Sequence, residues 1–527
     1  MSIRYLVHGK LDSDFIEKIF STFNNTNIDV ENIIVAFDKL SSKIDSEKID
    51  AECKIPDHIM DELFNMNVFA LFVPKELNGV EANMRDFCKV ITKISEKDVS
   101  IATTIVPHSG MGVKSVLYFA NDDQKKLLLE DLSKKRNIIA FALTEIQAGS
   151  DVANHSTNIK KIDENNFVLN GVKHFITNTS FSKTIVVIAK CPDLTKIPGG
   201  STFLYLKPDE QGLFINHPYD KMGMRGSDTT ELVFKDIKVS KDRIFGIAGK
   251  AINQFNMLVD SGRMGVSSVA IGVSNRILKL CKQKIAKIAN NTLISNTISE
   301  IETKLFQMEA TLNITALSHD LANPDCTIYT AINKLFCTKS CQEIINKAFY
   351  LTTIDDLFDK QEIYFALRDT LILRVTEGPN EVINFKAGLE IITSLINQYE
   401  GENSIKEFLT DDFKRYSTDF DIILKQTSEI IKEIGEKYSN FSSNQFILFR
   451  IIDIISPVFI LYSVFLYYSC MIENNKCQKE QISTFIETTF IEMKERFYNA
   501  IKKEKNQIDD VVSYIFENKK MDHLTSI

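Results

Sequence analysis

Apolar residues recur at three- and four-residue spacing through the first 140 positions. The stretches "IPDHIMDELFNMNVFALFVP" (55–74) and "MRDFCKVITKIS" (84–95) carry this period, and "NDDQKKLLLEDL" (121–132) opens with capping residues before its apolar stripe. All three predict helices. From about 141 to 245 the period changes: "NFVLNGVKHFITN", "KTIVVIAKC", "GSTFLYLKP" and "TELVFKDIKV" are short, rich in β-branched and aromatic residues, and separated by Gly, Pro, Asn and Asp turns. After "FGIAGKAI" the helical period returns and runs nearly to the C-terminus, interrupted by the polar, acid-rich "NQYEGENSIKEFLTDD" (397–412). The chain is expected to be mainly α with a middle β domain: an N-terminal helical domain over 1–140, a middle β domain over 141–245, a C-terminal helical bundle over 246–400 and an appended helical domain over 401–527.

Composition narrows the class. The 527 residues are 44% hydrophobic and 25% charged, the balance of a globular protein with material for several cores. A net charge of -8 provides no electrostatic footprint for nucleic acid, so none is expected as a partner. The nine cysteines are scattered. Cys337 and Cys341 share a helix face but have no second pair or nearby histidine to complete a metal site, which points to packed thiols in a reducing compartment. The opening "MSIRYLVHGKLDSDFIEKIF" has neither the apolar core of a signal peptide nor the Arg/Ser-rich character of a transit peptide, and a cytoplasmic location is the expectation. The segment "IISPVFILYSVFLYYSCM" (454–471) carries no charge and approaches the length that spans a bilayer. Its neighbours Arg450 and Asp453 and its internal Pro457 favour a helix buried in a bundle, with a membrane span as the weaker alternative.

Five stretches carry candidate chemistry. In "FALTEIQAGSD" (141–151) an apolar entry leads to Thr144 and a small-residue turn whose N–H groups suit a phosphate or a flat heteroaromatic ring, although a plain strand-end turn has the same composition. "GVKHFITN" (171–178) offers the Phe175 ring and the Thr177 hydroxyl. "MGMRGSDTTELVF" (222–234) is a Gly-rich approach to a strand, or a hairpin loop. "LVDSGRMGVSSVAIG" (258–272) sets Asp260 and Arg263 one helical turn apart, the spacing of an intrahelical ion pair. In "LILRVTEGPNEVINF" (371–385) Glu377 stands in an apolar run before Gly378 and Pro379, a helix break that starts a second helix. Glu377 is therefore either a buried acid at a junction or a solvated one at a helix end.

In this order the five stretches resemble the acyl-CoA dehydrogenase family, collinear over roughly residues 35 to 395. "VPKELNGV" (73–80) and "NDDQKK" (121–126) are similar to the family's Val-Pro-Glu-Glu-Tyr-Gly-Gly and Gln-Lys elements. "LTEIQAGSD" resembles its Thr-Glu-Pro-x-Ala-Gly-Ser-Asp signature, "KHFITN" and "KMGMRGSDTTEL" the next two, and "TEGPNEV" the element that carries the base. The resemblance implies an N-terminal helical domain, a β-barrel-like middle domain and a C-terminal four-helix bundle. The Gly-Arg-x-Gly form at 262–265 and the block after 400 resemble the very-long-chain branch, which implies a bundle-like extra domain and a peripheral membrane contact.

The resemblance further implies FAD as cofactor, a fatty acyl-CoA of long chain as substrate, an electron-transfer flavoprotein as partner, and a homodimer or tetramer. Glu377 is implied as the base that removes the α-proton, since the position before Arg263, an acid in members that keep their base there, is Gly262. Phe141, Leu143, Thr144, Ser150, Phe175, Ile176, Thr177 and Asn380 are implied at the cofactor, and Ser150, Asp260, Arg263 and Gly378 at the substrate. Two family motifs are missing. "KIANNTLISN" (287–296) stands where many members have Arg-x-x-Phe-Gly, and "KAFYLTTIDDLFDK" (347–360) replaces a Gln-x-x-Gly-Gly-x-Gly loop. Both losses fall on the adenylate half of the FAD site, and they set a non-catalytic binding or assembly protein as the alternative to the enzyme.

Overall fold

The structure, a computed structural model, describes residues 6–285, 292–323, 326–351, 362–394, 404–409, 411, 413–437, 445–474 and 479–505. Helices α1 (Ser13–Thr22), α2 (Ile28–Ser41), α3 (Ser46–Glu52), α4 (Asp57–Asn65), α5 (Met84–Ser95) and α6 (Val99–Pro107) come first. Short polar side chains cap most of them: Asp12, Asn27, Asp45, Asn83 and Asp98 each accept a backbone N–H of the first turn. Pro107 closes α6, and the chain widens into a π turn over His108–Val113 before α7 (Lys114–Phe119) and α8 (Asp122–Leu129), the latter opened by an Asn121/Gln124 capping box.

Eight strands follow: β1 (Ile138–Ala142), β2 (Asn158–Lys161), β3 (Asn166–Thr177), β4 (Ser182–Lys190), β5 (Ser201–Leu206), β6 (Leu213–Ile215), β7 (Thr229–Ser240) and β8 (Ile244–Phe245). They form one sheet in the order β6-β7-β3-β2-β4-β5-β8, with β1 parallel to β4. Alternate residues of six strands, among them Ala140, Ile159, Leu169, Val187, Leu204 and Leu232, pack in one shared core. The β3/β7 ladder slips by one residue between Lys173 and Ile176, a bulge at His174 and Phe175.

The last helices are α9 (Ala251–Ile285), α10 (Thr292–Asp320), α11 (Cys326–Phe349), α12 (Glu362–Leu371), α13 (Asn380–Ser394), α14 (Ser417–Lys437), α15 (Gln445–Glu473) and α16 (Lys479–Lys505). The chain divides into two compact units. The larger is Asn24–Ala322 with Asn333–Val382; the smaller is Met1–Phe23, Asn323–Ile332 and Ile383–Ile527. The first 23 residues, expected in the N-terminal helical domain, cluster instead with the appended helices. Leu6, Val7, Leu11, Ile16, Ile19 and Phe23 are wholly buried, and α15 supplies part of that cover: the Phe23 ring lies 5.6 Å from Tyr467. The helix over Ile447–Glu473 is long and apolar enough to cross a membrane, and 78% of its most apolar window is buried in the protein. The interval 397–412 falls mostly outside the described residues.

Candidate active site

The larger unit brings three glycine-containing segments to one acid. After α12 a 3-10 turn (Ile372–Arg374) leads to Glu377 and Gly378, which have consecutive left-handed φ angles of 56° and 98°. Glycine adopts that region freely, whereas a glutamate held there costs on the order of 1–3 kcal/mol and persists only where its surroundings enforce it. The turn seats the Glu377 carboxyl on α9 at Gly262, where an added Cβ would lie 2.3 Å from Glu377 Oε2 and 2.8 Å from Met111 Cε of the π turn. A side chain at 262 would force the carboxyl of Glu377 to move from this seat. Gly110, also in the π turn, approaches α9 closely enough that its Cβ would sit 3.4 Å from Gly262 N. The turn itself is pinned by His108, whose Nε2 donates to Phe69 O (2.7 Å) while Nδ1 accepts from Ile139 N (2.9 Å). Burial lowers its pKa to about 4, so the imidazole is neutral.

The electrostatics single out the same acid. Burial pushes the Glu377 carboxyl up to about 7, opposed by the positive charges of Lys334 and Arg263. Among the described residues neither its carboxyl nor its backbone N–H has a hydrogen-bond partner. The residue as a whole keeps partial exposure, as a base reached by a substrate requires. Arg263 and Asp260 lie one turn apart with Nη1 and Oδ1 4.0 Å apart, both only 7% exposed. Arg263 is thus largely buried, and its positive charge acts on the base.

Sequence reasoning missed Lys334, a fully buried lysine inside α11. Its Nζ donates to Gly378 O (2.9 Å) and to Asn380 Oδ1 (2.8 Å). Asn380 Nδ2 in turn donates to Thr338 Oγ1 (3.2 Å), and Arg374 Nη1 reaches Gln342 Oε1 (3.4 Å). Lys334, Thr338 and Gln342 are spaced by four, one face of α11, so the helix grips the base turn along its length. Asn380, expected at the cofactor, is 1% exposed, and both ends of its amide are engaged inside the protein. The sequence signal for Lys334 was weak, since "AINKLFCTKS" (331–340) mixes two lysines and three other polar residues with its apolar positions.

The middle sheet presents a second surface. Lys173 and Glu145 are 0% and 1% exposed and pair at 3.0 Å, and Lys173 Nζ also donates to Leu143 O at 2.7 Å. Burial opposes the charge of Glu145, but N–H and O–H groups of Ser156 and Thr157 together with Lys173 outweigh it and hold its pKa down to about 2. The His174 N–H donates to Thr144 O (2.8 Å), joining the end of β1 to the β3 bulge. At that bulge Phe175 has a φ of 58° and is 58% exposed, its ring 5.1 Å from Tyr219. A strained backbone that displays a large apolar ring is a platform for a flat ligand. Nothing lies within 4 Å of a Cβ built on Gly149, so the Gly149–Ser150 turn is open to a ligand as well.

These features fit the ring of a flavin at Leu143, Thr144, Phe175 and Thr177. Ile176 is 2% exposed in the sheet core, because strand alternation turns its side chain away from that surface. The ring of Phe141 stacks on Phe255 at 6.0 Å and lies 6.4 Å from Phe203. Ser150 is exposed on its turn. Residues 286–291 and 352–361, which hold most of the two departures from the family motifs, lie outside the described residues. The sheet and the base turn meet through Asp369 of α12, whose carboxyl accepts from Met224 N (2.6 Å), and through Arg368, which donates to Met222 O (2.7 Å).

Comparison with known proteins agrees with this geometry. Three domain models of one family match in chain order: acyl-CoA dehydrogenase, N-terminal domain, over 39–136, middle domain over 140–237 and C-terminal domain over 249–385. The 3-(aryl)acrylate reductase of Clostridium sporogenes (strain ATCC 15579) is 27% identical over 345 residues, 64% of this chain and 90% of that protein. The very long-chain specific acyl-CoA dehydrogenase, mitochondrial, of Mus musculus is 24% identical over 358 residues; the match covers 66% of this chain and 55% of that protein. Among solved structures, an acyl-CoA dehydrogenase complexed with FAD from Bacillus anthracis has a TM-score of 0.72 at 20% identity, covering 94% of this chain and 88% of that one. Butyryl-CoA dehydrogenase from Megasphaera elsdenii has a TM-score of 0.64 at 24% identity, covering 70% and 99%. These two likenesses are of fold.

Proposed function

The chain belongs to the acyl-CoA dehydrogenase family of FAD-dependent oxidoreductases, and from that premise we propose that it converts long-chain fatty acyl-CoA to trans-2-enoyl-CoA and passes the electrons to an electron-transfer flavoprotein. The observation that carries the reading is the Glu377 carboxyl: seated against Gly262, without a hydrogen-bond partner among the described residues, and raised to about 7. A carboxylate of ordinary acidity is too weak to take a proton from carbon α to a thioester. Burial strengthens it while leaving a sizeable ionised fraction at neutral pH, and a positioned base of matched pKa contributes on the order of 10²- to 10⁴-fold in rate. The Glu377 N–H is available to the thioester carbonyl, where it would stabilise the negative charge that develops as the α-proton leaves. Arg263 and Lys334 add a positive field to the same region without quenching the base in a direct bond. FAD, when bound, supplies the two-electron acceptor for the β-hydrogen, which leaves as hydride. Leu143, Thr144, Phe175 and Thr177 would hold its ring. Thr376, a small half-buried residue beside the base, suits a wide acyl channel, and the very-long-chain relatives support the long-chain assignment.

The test is the visible spectrum of the protein loaded with FAD, before and after palmitoyl-CoA is added without oxygen. Bleaching of the flavin band is the expected result. A bound flavin that stays oxidised with palmitoyl-CoA but bleaches with a short-chain or aryl thioester overturns the long-chain assignment. Failure to bleach with any thioester overturns the dehydrogenase reading.

A further inference from the structure

Glu377 and Gly378 occupy a conformation that their own side chains do not enforce, and the groups that enforce it come from α11. Lys334 Nζ donates to Gly378 O and Asn380 Oδ1, the Asn380 amide passes to Thr338 Oγ1, and that hydroxyl donates to Lys334 O (2.8 Å), which closes a ring of hydrogen bonds. Lys334 is wholly buried, and among the described residues its Nζ makes no direct ion pair with any carboxylate. Burying an ammonium is costly, and two neutral oxygens offset that cost only partly: burial, with Arg263 beside it, lowers the Lys334 pKa to about 7, so its charge is full only on the acid side of the profile. Such a group is retained where its position matters more than the stability it supplies.

We propose that Lys334 is a positioning residue of the reaction: it clamps the left-handed turn so that the Glu377 carboxyl rests on Gly262, and its charge acts on the carboxyl without a direct bond to it. This rests on the reading of Glu377 as the base. The clamp and the charge act differently. Loss of the clamp displaces the carboxyl, and a misplacement of about 1 Å costs on the order of 10²-fold in rate. Loss of the charge removes a cation that favours the carboxylate, so the carboxyl ionises at higher pH. The other charged groups around the pair are Arg263 on α9, Arg374 before the turn and Glu381 on α13, and all remain in a Lys334 variant.

The experiment measures anaerobic flavin reduction by acyl-CoA from pH 5.5 to 9 in FAD-loaded wild type, Lys334→Met, Lys334→Arg and Glu377→Gln, with flavin content and acyl-CoA affinity measured alongside. Lys334→Met is expected to bind flavin and acyl-CoA as wild type does, to reduce on the order of 10²-fold more slowly, and to shift the midpoint of the pH profile upward. Lys334→Arg, which keeps the charge but not the compact fit, is expected to restore the midpoint and only part of the rate. A Lys334→Met enzyme with wild-type rate and midpoint overturns the inference, as does a slow enzyme whose affinity or flavin content falls in proportion. If Lys334→Met does not fold, Asn380→Leu, which removes one of the two Nζ acceptors, takes its place, and an unchanged rate there overturns the clamp. Normal turnover by Glu377→Gln is a separate result that removes the base reading itself.

Discussion

Two glutamates of this protein each have a buried lysine nearby, yet they reach opposite chemical states. Glu145 accepts from Gln147 Nε2, the N–H and O–H of Ser156, the Thr157 N–H and Lys173 Nζ, and its pKa falls to about 2. Glu377 has Lys334 and Arg263 near it but no hydrogen-bond donor among the described residues, and its pKa rises to about 7. Burial raises both carboxyls; at Glu145 the hydrogen bonds aimed at the carboxylate, with the direct Lys173 pair, outweigh it, whereas at Glu377 two cations without a direct bond do not. The saturated acid is structural and fixes the Leu143 loop. The unsaturated one is free to take a proton.

The comparison is broken most sharply by Glu377→Gln. Turnover should fall by at least about 10²- to 10⁴-fold while flavin stays bound, measured as anaerobic bleaching and flavin-to-protein ratio. On the structural side, Lys173→Met strands Glu145 as an uncompensated buried charge and releases Leu143 O. Urea unfolding should register a loss of about 3–5 kcal/mol with Glu377 untouched. Gly262→Ala is a narrower test: its methyl meets the Glu377 carboxyl, so reduction should slow on the order of 10²-fold with little change in melting temperature.

The smallest effect is in the pH dependence of stability, where the two acids act with opposite sign. The folded pKa of Glu377 lies above its ordinary value, so its contribution is full below about 4.5 and is lost as pH rises through about 7. That of Glu145 lies below, so its contribution is present above about 4.5 and is lost as pH falls toward about 2. Glu377→Gln should therefore melt a few degrees above wild type at pH 8 and level with it at pH 4. Glu145→Gln should melt below wild type at pH 8, with the gap closing in acid. Equal behaviour of the two variants would erase the distinction between them.

Much of the site was legible because it lies in contiguous motifs. Glu377 before a Gly-Pro break, Thr144 before a small-residue turn and Phe175 on its strand were each visible as local patterns. Lys334 was not, because it lies 43 residues before the base and reads as one cation in a helix. The bulge that turns Phe175 outward was hidden too, since an extra residue in a ladder depends on the partner strand. Residues 1–23 had the period of a helix, but period alone does not say which helix will cover an apolar face.

The order of the elements, the change of period at the middle sheet, the glycine at 262 and the acid at 377 were determined by the sequence alone, since each depends on a residue and its near neighbours. Tertiary structure decided that the carboxyl of 377 fills the space a side chain at 262 would need, and that one face of α11 holds the turn in place. It also decided that Glu145 is saturated with donors while Glu377 is left without them. Acidity inside a protein depends on what surrounds the group after folding, and distant parts of the chain supply those surroundings.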